Sequence, residues 1–190
     1  AVADYTFALL LGVARRIHTG HLSMHAGGWS QQWGHDVYGK TLGIVGCGRI
    51  GTAVARRASG FNMRLLAYDP FPNEASQELG VEFVPLETLL RQSDYVSLHA
   101  AVTPETEGLI SAPQLQLMKP DSYLINAGRG ALMNETDLAA CLNDHGIAGA
   151  AVDTYQVEPL PLDHPLHSTE TLLMSPHQAS FAAETGQRVS

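Results

Sequence analysis

Four times along this chain a short apolar run leads into a residue able to do chemistry. Thr41–Val45 runs into Gly46-Cys47-Gly48-Arg49-Ile50-Gly51, Tyr123–Ala127 leads to Arg129, Ala148–Val152 to Glu158, and Thr171–Met174 to His177. In open parallel sheets, ligands bind just beyond the carboxyl ends of the strands. The pattern therefore predicts one cleft shared by several strand ends, and the glycine loop among them points to a nucleotide-dependent enzyme.

Between Thr41 and Met174 these runs alternate with helix-like segments. Met63–Tyr68 and Tyr95–His99 complete the strand set. Helices are expected near Ile50–Ser59, Asn73–Leu79, Leu86–Gln92, Pro113–Met118 and Glu135–Asp144, with one more over Ser180–Ser190. Such alternation predicts βαβ units and an α/β fold: a Rossmann-like, doubly wound parallel sheet with helices on both faces.

Residues 3–19 read as a helix ending at Gly20, with apolar side chains on nearly every face. One sheet cannot cover all of those faces, so the helix is expected to need a partner subunit or another domain. A polar stretch with Trp29 and Trp33 follows, up to Lys40. The two tryptophans are expected to pack against a subunit or the first helix. Residues 1–40 thus read as a contact helix and linker. The chain begins without Met, enters a helix almost at once and closes inside another, as an excised domain of a larger enzyme would.

Composition narrows the partners. A chain of 190 residues, 45% apolar, can bury one substantial core. A net charge of −8 would repel a phosphate backbone, so no nucleic-acid partner is expected. The apolar run Phe7–Ala14 is far short of the roughly 20 residues that span a bilayer, so no membrane role is expected either. Cys47 and Cys141 are the only cysteines, which suits a reducing cytoplasm better than a disulfide framework.

In the glycine loop, Gly46 would permit the tight turn, Gly48 the approach of a pyrophosphate to the backbone, and Gly51 close packing of helix on strand. The helix that follows starts with Arg49 and Ile50 and has no acid in its first turn, although its positive dipole end favours one. A bound anion would account for that inversion. Asp69, 18 residues beyond Gly51, ends the next strand at the spacing of an acid that hydrogen-bonds the adenosine ribose. A 2′-phosphate there would meet a like charge, costing on the order of 4 kcal/mol at about 4 Å and an effective dielectric of about 20. NAD is therefore favoured over NADP.

Taken in order, the segments Gly39–Gly51, Tyr68-Asp69-Pro70, Leu98-His99 with Thr103-Pro104-Glu105-Thr106, Asn126–Gly130, Val152-Asp153 with Val157-Glu158-Pro159, and Ser175-Pro176-His177 resemble the D-isomer-specific 2-hydroxyacid dehydrogenases, in their nucleotide-binding domain. The resemblance implies that Arg129 grips a 2-oxo acid, that His177 donates and accepts the proton, and that Glu158 supports the histidine. It also implies that Asp153 meets the nicotinamide carboxamide, that His99 and Thr103 lie along the cofactor, and that the protein is a homodimer whose split substrate domain is largely outside this chain.

The chemistry suits such a trio. Hydride delivery to a 2-oxo acid leaves negative charge on oxygen, which calls for a fixed cation and an acid. A guanidinium can fork onto carboxylate and carbonyl, and a carboxylate beside the imidazole favours its charged form. Ala101, where the family commonly has Pro, and Gly128, where it often has Ala, depart from the pattern without touching the charged groups. Its formate-oxidising branch has Gln where Glu158 stands, which favours a hydroxy or oxo acid here.

Two rival readings share the loop. Relatives of the family act as NADH-responsive corepressors with the same fold, and a methyltransferase could use such a loop for S-adenosylmethionine, though it would need none of the trio. His18, His21 and His25 have metal-like spacing, but Gly20 is expected to break the helix that would align them, so no metal is assigned.

Overall fold

The computed structural model describes residues 1–185. Seven strands, β1 (Thr41–Val45), β2 (Arg64–Tyr68), β3 (Glu82–Phe83), β4 (Tyr95–Leu98), β5 (Tyr123–Asn126), β6 (Gly149–Val152) and β7 (Leu172–Met174), form one sheet. Its order is β3-β2-β1-β4-β5-β6-β7, and every pairing is parallel. The helices are α1 (Val2–Ala14), α2 (Ile17–His25), α3 (Arg49–Ala58), α4 (Glu74–Gln77), α5 (Leu86–Gln92), α6 (Ala112–Leu115) and α7 (Glu135–Asn143).

Strands β4, β5 and β6 are buried at every position because helices cover the sheet on both sides. Side chains alternate across a strand, so neighbours enter opposite cores. Ile44 and Ile125 join the layer of Phe7, Leu10, Val13 and Val54 from α1 and α3. Val45 and Leu124 join Leu89, Leu90, Leu138 and Leu142 from α5 and α7.

All six strands expected from sequence are present, with ends shifted by at most one residue. The seventh, β3, is two residues long and carries no apolar run; pairing with Leu66 and Ala67 makes it a strand.

The first helix differs from expectation in two ways. It stops at Ala14, whose carbonyl accepts the His35 N–H at 2.9 Å in place of a donor from the next helical turn. Arg16 then turns left-handed at φ 52, and α2 runs straight through Gly20. The chain also supplies most of the cover that α1 was expected to seek elsewhere. Ala3, Phe7, Leu9, Leu10, Val13 and Ala14 are buried against the sheet and α3. The faces left open lie on α2, which buries no residue, and at Trp29 and Trp33, which are 79% and 96% exposed and do not pack on the first helix. Of the helix expected over Ser180–Ser190, residues 183–185 are helical, and residues 186–190 lie outside the described residues.

Gly46 holds the end of β1. Its φ is +88, and a Cβ there would collide with the backbone of His99 and Ala100, the loop leaving the neighbouring strand β4. Gly46→Ala is expected to cost about 1–3 kcal/mol in urea unfolding, whereas Gly48→Ala, whose Cβ would meet nothing within 4 Å, should cost no more than about 0.5 kcal/mol.

Candidate active site

The chain winds from β1 to β3 on one side and then returns to lay β4 along the other side of β1, so the loops after β1 and β4 diverge and open a crevice. Within it, Gly51 packs on the Gly46 carbonyl, pulling the start of α3 against β1, while the space beside Gly48 is open. No side chain caps the N-terminus of α3, and its first turn holds no acid. Arg49 and Ile50 are exposed there. Uncapped N–H groups at the positive end of a helix dipole, with open space in front, fit a pyrophosphate.

Asp69 leaves β2 beside that loop. Its Oδ2 accepts from the Cys47 N–H at 2.7 Å and its Oδ1 from the Phe71 N–H at 2.8 Å. The carboxylate is thus fixed at the rim of the crevice, and each oxygen keeps a lone pair for a ribose hydroxyl. Asn73, to which no role was given from sequence, caps α4 and donates to the Cys47 carbonyl at 2.7 Å, bracing the same loop.

His99 follows β4. Its Nε2 is 2.8 Å from Ser97 Oγ, its Nδ1 is enclosed without a hydrogen-bond partner, and burial pushes its pKa down to about 4. The ring is therefore neutral at ordinary pH. Thr103, further along this loop, is exposed, and its N–H and hydroxyl are tied to Thr106 Oγ1.

Beyond β5 the backbone turns sharply to present Arg129. Asn126, wholly buried, donates to the Arg129 carbonyl at 3.0 Å and accepts from the Gly128 N–H at 3.1 Å, so its side chain templates the turn. The exposed guanidinium donates to the Gly128 carbonyl at 2.8 Å.

Glu158 follows β6, and His177 follows β7. His177 Nδ1 and Glu158 Oε2 are 2.6 Å apart, and Glu158 Oε1 accepts from the Tyr155 N–H at 2.9 Å. These bonds, with His177 first and the charge of Arg129 adding to them, hold the Glu158 carboxyl below the usual carboxylate range against a small opposing effect of burial. Both side chains remain partly open to solvent, and they edge a largely apolar cavity of about 570 Å³ lined by Tyr155, Leu160, Met174 and Pro176.

Asp153, at the end of β6, is fully buried. Its carboxylate accepts from Ser175 Oγ at 2.6 Å and from the backbone N–H groups of Gln178 and Ala179 at 3.0 and 2.9 Å. It holds both sides of the His177 loop from beneath, a task not read from sequence. The segment between it and Glu158 is held in turn by buried Glu135, which accepts from the Gln156 N–H at 2.7 Å and lies 3.3 Å from His164 Nε2.

The histidines of α2 lie on a helix that Gly20 does not break, and the rings of His21 and His25 are 4.3 Å apart. Among the described residues no group of three or more His, Cys, Asp or Glu side chains is placed to hold a metal ion. Among them, too, no helix is long and apolar enough to cross a membrane.

Comparison with known proteins agrees with this geometry. Residues 7–179 match the model of the D-isomer specific 2-hydroxyacid dehydrogenase, NAD binding domain. The chain is 47% identical to a glyoxylate reductase of Korarchaeum cryptofilum, over 99% of this chain and 59% of that protein, and 43% identical to one of Pyrococcus horikoshii, over 98% and 59%. Its fold superposes on the apo-structure of D-lactate dehydrogenase from Escherichia coli with a TM-score of 0.92, at 35% identity over 99% of this chain and 60% of that one. D-lactate dehydrogenase with NAD+ from Lactobacillus jensenii gives 0.88 at 29% identity, over 98% and 61%. The chain thus spans about three fifths of the length of these relatives. It belongs to the D-isomer specific 2-hydroxyacid dehydrogenase family, as a member of that family's NAD-binding domain.

Proposed function

We propose that this domain, within the complete protein, carries the NAD-dependent interconversion of a small 2-hydroxy acid and its 2-oxo acid, with Arg129, Glu158 and His177 as the catalytic residues. The observation that carries this reading is the 2.6 Å bond between His177 Nδ1 and Glu158. With Nδ1 committed to the carboxylate, Nε2 is left to give a proton to the oxygen that gains charge, and to take it back in the oxidative direction. The hydride comes from the reduced nicotinamide when NADH is bound. Arg129 grips the substrate carboxylate and steadies the charge on the carbonyl oxygen.

Gly46, Gly48, Arg49, Ile50 and Gly51 cradle the pyrophosphate in this reading, and Asp69 holds the ribose and selects NAD. His99 and Thr103 flank the cofactor. Asp153 serves the nicotinamide end in this reading through the His177 loop, which its wholly buried carboxylate holds by three hydrogen bonds. The names of the relatives, glyoxylate reductase and D-lactate dehydrogenase, support a substrate of two or three carbons. The opposite wall of the cleft then comes from a substrate domain largely outside residues 1–190. Exposed Ile17, Leu22, Met24, Trp29 and Trp33, gathered within residues 1–40, support a contact with a second copy in a homodimer. Two free cysteines suit a cytoplasmic enzyme.

In the full-length protein, Arg129→Ala or His177→Ala should lower the turnover of glyoxylate with NADH by about 10²–10³ and leave NADH affinity nearly unchanged; an equal loss of cofactor binding contradicts these roles. NADH binding with no turnover across a panel of 2-oxo acids would instead favour the sensing module. Asp69→Ala should erode the preference for NADH over NADPH, and an unaltered ratio removes Asp69 from the ribose site. Glu158 stays anionic until pH falls through its lowered value, so the carboxylate that holds the imidazole is present across the neutral range. Glu158→Gln removes that anion and should lower kcat for glyoxylate reduction about tenfold with NADH affinity unchanged, and an unaltered kcat takes the support of His177 away from Glu158.

A further inference from the structure

Tyr155 stands where the three loops of the active site meet, and it touches each with a different part of itself. Its backbone N–H donates to Glu158 Oε1 at 2.9 Å. Its carbonyl group lies so close to Gly130 that any side chain there would collide with it, which seats the turn carrying Arg129. Its phenol donates to the Ser175 carbonyl at 3.0 Å, two residues before His177, with the Val152 carbonyl at the end of β6 3.3 Å away.

We propose that Tyr155 is a positioning residue for the reaction: it sets Arg129, Glu158 and His177 relative to one another without touching the reacting atoms. The inference rests on the catalytic reading of those three residues given above.

The phenol is the part that only this side chain supplies. His177 sits at φ +51, a conformation uncommon for a residue other than glycine, so its loop gains from being held. Three hydrogen bonds fix Ser175 just before it: its N–H donates to the Val152 carbonyl at 3.0 Å, its hydroxyl donates to Asp153, and its carbonyl accepts from the Tyr155 phenol. The half-buried phenol has its pKa pushed up to about 12 by burial, so it stays a donor throughout the working pH range. A phenylalanine at 155 would keep the ring and the N–H bond to Glu158 but take the phenol off the Ser175 carbonyl, leaving that carbonyl only the His177 N–H at 3.2 Å. His177 would then lose one of its three upstream anchors while Glu158 kept its own. Small errors of placement between an acid and its support lower turnover more than they lower binding.

The test uses the full-length protein with Tyr155→Phe, His177→Ala and the double variant, each assayed for reduction of glyoxylate by NADH below its own unfolding midpoint. Tyr155→Phe is expected to keep NADH affinity and the KM for glyoxylate and to lose about three- to tenfold in kcat, the size of one neutral hydrogen bond. In the His177→Ala background it should cost nothing further, because its effect passes through the imidazole. An unchanged kcat, a change in KM alone, or the same fractional loss in both backgrounds overturns the positioning role. The catalytic reading itself falls by a separate outcome, a His177→Ala variant as active as the parent.

Discussion

All seven strands run the same way, and that constraint places everything else. With helices on both faces, a parallel sheet has room for polar chemistry only where its strands end, and here every site residue follows a carboxyl end. Across the sheet from β2 to β7 they come in line: Asp69, the glycine loop, His99, Arg129, then Asp153 with Glu158, and His177. Asp69 and His177 therefore stand five strand spacings apart, roughly 24 Å at about 4.8 Å each. A ligand that meets both must be long and extended, as a dinucleotide with an acid at its far end is.

The two halves of that line are built differently. Toward β1 and β2, glycines bring loops close, and the side chains of Asp69 and Asn73 tie down the Cys47 peptide groups. Toward β5, β6 and β7 the loops are longer and hold only short 3-10 turns, Gly130–Leu132 and Pro165–Ser168, so buried polar side chains replace the missing ladder bonds. Asn126 shapes the Arg129 turn, Asp153 the His177 loop, and Glu135 the segment between them. Each is almost wholly enclosed, which makes its hydrogen bonds costly to break and the loops correspondingly well defined.

The strands and the glycine loop were legible because local physics decides them: apolar runs of four or five residues, and glycines where two backbones meet. Glu82–Phe83 was not, since only the neighbouring strand makes it extended. The length of the first helix was missed for a similar reason. Its end is set by His35, twenty-one residues further on, taking the Ala14 carbonyl. In the site, the charged residues announced themselves by position, but their supports did not. Asn126 stood only within a matching motif and Asp153 was read as a nicotinamide contact, and only the fold reveals that each reaches backbone groups of the loop beyond; Tyr155 gave no signal at all. The polar atom buried within an apolar run, as Asn126 is, was the clue available.

The central claim is that one sheet edge holds a nicotinamide next to Arg129 and His177. The most direct measurement uses NADH deuterated at the transferable C4 position, with the full-length protein and a 2-oxo acid, and follows the label by proton NMR. The account predicts deuterium on C2 of the hydroxy acid product, at the rate at which NADH is consumed. Tight NADH binding with no label reaching the acid would contradict it.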